Sequence, residues 1–260
     1  MHYIFILLSC FFFFSSCAQN NGKSLPPDIQ YHTYHLQNTA VKISVHNYLP
    51  ASKFTFIILH DDEQTAEKAT LQVLEQYGGK LISIENNKER TLSFILKGKS
   101  YEFDPNRMFT PAGIKASLQT YGSDNATAAA EIEKFAAFLL NKISDSALPV
   151  AVHNNTNEEF AITDYMMPGA LQHDAAAVYQ NPDMDVDEFV FTTSGLVYDF
   201  YKRLNVNVVL QNNQQVIDDG SLSVYYGKQN KNYINIEAEH EHTEMQIKMI
   251  ELLYQLLPDF

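Results

Sequence analysis

The stretch Phe54-Thr55-Phe56-Ile57-Ile58-Leu59-His60-Asp61-Asp62-Glu63 decides how this chain is read. Residues 54–59 form an apolar strand pattern, and residues 64–77 behind it form a helical pattern closed by Gly78-Gly79. Working outward, residues 41–48, 81–84, 91–96 and 100–103 read as strands. Residues 111–118 and 127–141 read as helices, the second with Ile132, Phe135, Phe138 and Leu139 on one stripe. Residues 150–152, 189–191, 206–210 and 233–236 are short apolar strands, and 245–257 is a closing amphipathic helix. Strands alternating with helices predict an α/β domain with a mixed, largely parallel central sheet flanked by helices. In such sheets the ligand crevice lies beyond the carboxyl ends of the strands.

Three places set polar chemistry at such ends. His60 follows the strand 54–59, with Glu63 three residues on; His153 follows 150–152; Glu237 follows 233–236. Two imidazoles and a carboxylate can hold a tetrahedral zinc with one position open for water, and a further carboxylate can take that water's proton. Taken singly, each piece has a plainer reading. His60/Glu63 can be a loop pair, His153 a structural histidine, and Glu237 part of an acidic helix start in Glu237-Ala238-Glu239-His240-Glu241-His242. Their common placement favours the metal reading. His240 and His242 read as exposed residues at a helix start, and Asp218-Asp219-Gly220-Ser221 as a turn between strands, with a place in the pocket as its second reading.

Composition limits the function classes. The chain has 260 residues, 45% hydrophobic and 19% charged, which suits one packed globular domain. With 31 acidic against 18 basic residues and a formal charge of -13, it repels phosphate backbones, so nucleic acid is excluded as a partner. Its arginines are Arg90, Arg107 and Arg203. Arg90 precedes a strand and Arg203 ends a helix, where solvation and the helix dipole account for them. Arg107 lies in a proline-braced turn with Met108 and Phe109 behind it.

Both cysteines, Cys10 and Cys17, fall in the first 17 residues, which leaves the folded part without disulfides or zinc thiolates. The apolar run 4–14 is too short to span a membrane and suits a signal-peptide core. A small residue before Cys17 resembles the lipobox of bacterial lipoproteins, in which the cysteine is acylated; Cys10 fits its letters better but leaves too short a core. The expected organisation is a lipoprotein signal peptide over 1–17, a flexible tether over 18–30 and a single domain over 31–260. The expected location is the cell envelope, with the lipid anchor as the only membrane contact.

His60-Asp61-Asp62-Glu63 resembles the His-x-x-Glu ligand motif of zinc carboxypeptidases and of the succinylglutamate desuccinylase/aspartoacylase group. Asp104-Pro105-Asn106-Arg107-Met108-Phe109 resembles that group's Asp-Leu-Asn-Arg-x-Phe motif. The resemblance implies a zinc carboxypeptidase-like fold and makes His60, Glu63 and His153 zinc ligands. It makes Asn106 and Arg107 the clamp on a substrate carboxylate, and Glu237 the general base. The substrate would be a small peptide or acylated amino acid with a free carboxylate. The chain departs from the group at Asp61, where glycine is common, and at Lys99, near where an arginine usually polarises the scissile carbonyl. Lys99 is read either as a solvent-facing strand residue or as a substrate-binding point charge without the bidentate fork. Carboxypeptidases also close over substrate with a late tyrosine, for which Tyr225, Tyr226 and Tyr233 are all available. Two other functions remain open: an envelope lipoprotein that keeps the pocket and only binds, and a cell-wall amidase.

Overall fold

The computed structural model describes residues 25–122, 124–143, 148–157 and 159–256. The signal segment, Cys10, Cys17 and most of the expected tether lie outside these residues. In chain order the strands are β1 (Asp28–Leu36), β2 (Thr39–Tyr48), β3 (Phe54–Ile58), β4 (Gly79–Glu85), β5 (Leu92–Leu96) and β6 (Lys99–Phe103). They continue with β7 (Leu148–Asn155), β8 (Ala175–Tyr179), β9 (Phe189–Thr192), β10 (Val208–Gln211) and β11 (Ile234–Glu239). The helices are α1 (Gln64–Tyr77), α2 (Pro111–Thr120), α3 (Ala126–Leu140), α4 (Gly195–Arg203), α5 (Leu222–Lys228) and α6 (Thr243–Leu256). None of the described helices is long and apolar enough to cross a membrane.

Nine strands make one sheet in the order β1-β2-β4-β3-β7-β11-β9-β10-β8. The central four, β4-β3-β7-β11, run parallel, while β2 and β9 flank them antiparallel. The sheet is therefore mixed with most strands parallel and helices on both faces, as predicted. Its centre is set by composition. Every residue of β3 and β7 is buried, because a strand covered on both faces carries no polar alternation. Along β3, Phe56 and Ile58 pack on one side with Ala66, Val73, Val197 and Met249 of α1, α4 and α6. Ile57 and Leu59 face the other way, toward Ile114 and Phe135 of α2 and α3.

β5 and β6 form a separate two-stranded sheet whose turn, Lys97-Gly98, has positive φ at both residues (52° and 79°). Two strands differ from expectation. β1 starts at Asp28, inside the segment read as tether, and pairs with β2 along its whole length. It is an edge strand and mostly exposed, so no apolar run announces it. β8 is three alanines, a valine and a tyrosine at the opposite edge, and alanine has little strand preference.

Candidate metal centre

His60 stands two residues beyond β3, and the chain turns at once: Glu63 N donates to His60 O (3.2 Å) and Gln64 N to Asp62 O (3.0 Å). Glu63 is thereby the N-cap of α1, yet its carboxylate does not cap the helix. It turns to the histidines instead, where the positive end of the helix still favours it. β7 and β11 run on further than their apolar cores suggest, so His153 and Glu237 lie inside strands, not just past them. They are register partners on neighbouring parallel strands.

The three ligands predicted for a metal come together. Nδ1 of His60 lies 2.9 Å from Oε1 of Glu63, and Nδ1 of His153 lies 2.8 Å from its Oε2. One donor atom from each residue falls within 4.8 Å of the others, and all three side chains are buried. The far nitrogen of His60, Nε2, is 2.8 Å from Oδ1 of Asp104. A carboxylate on the outer nitrogen orients a metal-binding imidazole and raises its basicity. Asp104 thus has a role that motif reading passed over, although it opens the Asn-Arg motif. Two imidazoles and one carboxylate gathered in this way, beside the cleft, fit a metal site.

The charges agree. Burial opposes a charged His60, but Glu63 and Asp104 outweigh it and lift the ring to about 9. Burial likewise opposes a charged Glu63, and the two imidazoles hold it well below the carboxylate range. For Asp104, too, burial is overcome by His60, and its carboxyl falls to about 2. Glu237 is different: burial pushes its carboxyl up, and Glu63 adds to that against the pull of His153. Glu63 and Glu237 are thus two buried carboxylates of one cleft whose acidities are driven in opposite directions.

Around this centre opens a cleft of about 520 Å³ that Asn106, Arg107 and Glu237 also line. Asn235 Nδ2 donates to Glu237 Oε1 at 2.8 Å from the same face of β11. Arg107 Nη1 meets Asp219 Oδ2 at 3.0 Å and its neighbour's carbonyl, Asn106 O, at 3.1 Å. Behind the strands, Asn154 accepts from Ala66 N (2.7 Å) and donates to Gln246 Oε1 (3.1 Å), while Gln246 Nε2 donates to His153 O (2.8 Å). That buried amide pair ties the start of α1 to β7 and α6 and so fixes Glu63 against His153.

Three expectations are corrected. Lys99 does not line the cleft; it is exposed on the β5–β6 hairpin with its ammonium 5.2 Å from the Tyr101 ring centre. Arg90, read as a solvated residue, does line the cleft and places Nη1 2.8 Å from Glu63 Oε1. Asp61 explains how: its Oδ2 accepts from Asn86 N (2.5 Å) and Lys88 N (2.8 Å) and pins the loop that delivers Arg90. Of the late tyrosines, Tyr226 and Tyr233 are buried in the core, Tyr225 is partly buried against it, and none lines the cleft. Tyr225 packs on Phe109, and Tyr226 stacks on Tyr233 at 5.7 Å. The tyrosine in the cleft is Tyr165, whose phenol is held well above its ordinary pKa by burial, then by Glu237 and Asp219. Of the terminal histidines, the exposed His240 lines the cleft, and His242 pairs with Glu188 at 2.9 Å. Asp219 and Ser221 line it too, so the second reading of that turn holds.

No family model matches the chain, and no curated protein does. Among solved structures, it is similar to the murein-tripeptide amidase of Escherichia coli O157, with a TM-score of 0.46 and 12% identity over 88% of this chain and 92% of that one. It is similar to N-formylglutamate amidohydrolase from Ralstonia eutropha JMP134, with a TM-score of 0.42 and 11% identity over 80% of this chain and 95% of that one. An aspartoacylase family protein from Mesorhizobium loti MAFF303099 gives 0.41 and 14% over 90% and 72%. Each of these likenesses is one of backbone fold alone, at 14% identity or less.

Proposed function

We propose that the protein is a zinc-dependent hydrolase cleaving an amide bond next to a free carboxylate, in a short peptide or an acylated amino acid. The observation that carries this reading is the meeting of His60, Glu63 and His153 in one cleft with Arg107 and Glu237. Zinc held by those three residues would supply Lewis acidity toward the carbonyl and toward water. Glu237 accepts the water's proton on its carboxylate and returns it to the leaving nitrogen, a task its raised pKa suits. Asn106 and Arg107 hold the free carboxylate, Arg107 with paired donors. Arg90, beside Glu63, is the cation placed to meet charge developing on the carbonyl oxygen. The binding-only alternative drew its support from the want of such a cation near Lys99, and Arg90 supplies one. The run 4–14 and Cys17 support an envelope location, where a cell-wall peptide is the natural substrate; loss of palmitate labelling in Cys17→Ser tests the anchor.

Metal analysis of purified protein, then hydrolysis of a library of amides bearing free carboxylates, tests the whole reading. Zinc-free protein that gains no activity with added zinc would end it. Arg90→Ala should lower kcat/KM by about 10²–10³, whereas Lys99→Ala should leave it unchanged. Asp61→Ala should produce a milder form of the Arg90 defect, because the loop is freed but the guanidinium remains. If Lys99→Ala is the damaging change, the two cations have been assigned the wrong way round.

Arg107→Lys keeps the charge and removes the fork. Its KM should rise far more for a peptide with a free C-terminus than for the same peptide amidated. Equal losses on both would make Arg107 a support of the Asp104–Phe109 turn with no part in selection.

A further inference from the structure

The charge of the cleft does not match a purely anionic ligand. Seven carboxylates line it against two guanidiniums among the described residues. Glu63 and Asp104 are engaged by the histidines, and Arg90 by Glu63. Even with a divalent ion in place, carboxylates remain in excess. Arg107, the group that reads the substrate's carboxylate, already faces Asp219 at 3.0 Å. A carboxylate arriving at Arg107 is therefore brought against a second negative charge, that of the half-exposed Asp219, and shares one guanidinium with it.

Asp219 is held there by construction. Its neighbour Asp218 accepts from Thr110 Oγ1 (2.6 Å) and pairs with Lys228, and it does not line the cleft. Asp219 accepts from Ser221 N (2.9 Å) and turns the other way, into the cleft. Between the two aspartates and Ser221, Gly220 adopts φ +83°, and its carbonyl takes Phe109 N at 2.9 Å. A Cβ on Gly220 would sit 2.4 Å from the Arg107 carbonyl oxygen. The loop bearing Asp219 is thus locked onto the turn bearing Arg107, so the two charges are presented as a fixed pair. Both Arg107 contacts use Nη1, and the donors on Nε and Nη2 take part in neither.

We infer that the residue released from the substrate carries an ammonium group on its side chain as well as its carboxylate, Arg107 taking the anion and Asp219 the cation. The inference rests on the reading of the cleft as an amide-hydrolysing site and adds the chemical class of the leaving residue: an amino acid with a second, unacylated amine. A ligand of that kind satisfies Arg107 and Asp219 together, whereas an anion without the amine leaves two carboxylates sharing one guanidinium.

The test uses zinc-loaded full-length protein, wild type and Asp219→Asn. The substrates are acetyl-Ala-Ala-Lys and its norleucine and Nε-acetyl-lysine counterparts, each with the last residue in L- and D-form. In parallel, calorimetry measures binding of the corresponding free amino acids, a readout that needs no turnover. Wild type should favour lysine over both neutral side chains by tenfold or more, in kcat/KM and in Kd. Asp219→Asn keeps an oxygen for Ser221 N and should erase that ratio while improving the norleucine ligand. Asp218→Asn, whose carboxylate faces Lys228, should leave the ratio alone. Hydrolysis of all three peptides with no preference, or a preference that persists in Asp219→Asn, overturns the inference and spares the hydrolase. Selective binding of lysine without hydrolysis of any peptide does the reverse.

Discussion

Glu237→Gln should retain its zinc and its fold and lose two or more orders of magnitude in kcat, about the contribution of a well-placed general base. The substitution is nearly isosteric, and Asn235 Nδ2 can still donate to an oxygen at the position of Glu237 Oε1. It also removes a buried charge that Glu63 repels and that desolvation disfavours, so the melting temperature should hold or rise. Stability and activity moving apart is the signature of a base. In the proposed mechanism Glu237 works as the carboxylate, and its pKa is raised, so activity should fall with decreasing pH through a midpoint above the ordinary carboxylate range. The residual activity of Glu237→Gln should lack that acid limb. Turnover near the wild-type level would remove Glu237 from the mechanism.

Much of this centre is legible in sequence because strand ends are. The apolar run 54–59, the helix Gln64–Tyr77 and the polar residues that close the apolar runs place His60, Glu63, His153 and Glu237 without any contact information, although β7 and β11 continue past the last two. What sequence misplaces is held by long-range contacts. Arg90 reaches Glu63 only because Asp61 pins the intervening loop, and no local pattern reports a carboxylate bonding amides some 25 residues away. Lys99 stands near the expected motif spacing, but the Lys97-Gly98 turn puts it on a hairpin outside the cleft. Tyr165 lies in a 3₁₀ turn, Ile162–Tyr165, where helical and strand periodicities are both silent. Asn154 and Gln246 read as ordinary polar residues, and their burial as a pair appears only once α6 is docked on β7. The same holds for Asp219, whose neighbour Asp218 has the same side chain but the opposite direction. Local chemistry is readable; which side of a turn it faces is decided elsewhere.

Glu63→Gln should abolish stoichiometric zinc and, with it, activity. The carboxylate lies between two imidazole nitrogens and the Arg90 guanidinium, all at 2.8–2.9 Å, so it is the anion on which three donors depend. Losing it from a buried site should also destabilise the metal-free fold, toward the low end of the ~3–5 kcal/mol typical of a broken buried ion pair, since histidines can release their protons. Asp104→Asn should be milder, costing about 10–100-fold in zinc affinity, because only the orientation and basicity of His60 are weakened. pH separates these roles. His60 is raised from its ordinary 6.5 to about 9 in the metal-free protein, so its charged form stabilises the fold fully below 6.5, and that contribution is lost as pH rises through 9. Zinc needs the neutral ring and must displace that proton, so affinity should climb with pH and level off near 9. In Asp104→Asn one of the anions raising His60 is gone, and the plateau should begin at lower pH. Zinc titrations of wild type and Asp104→Asn from pH 6 to about 10 decide the matter: superimposable profiles would mean that Asp104 does not control the proton on His60, and the assignment of that carboxylate to the metal centre would fail.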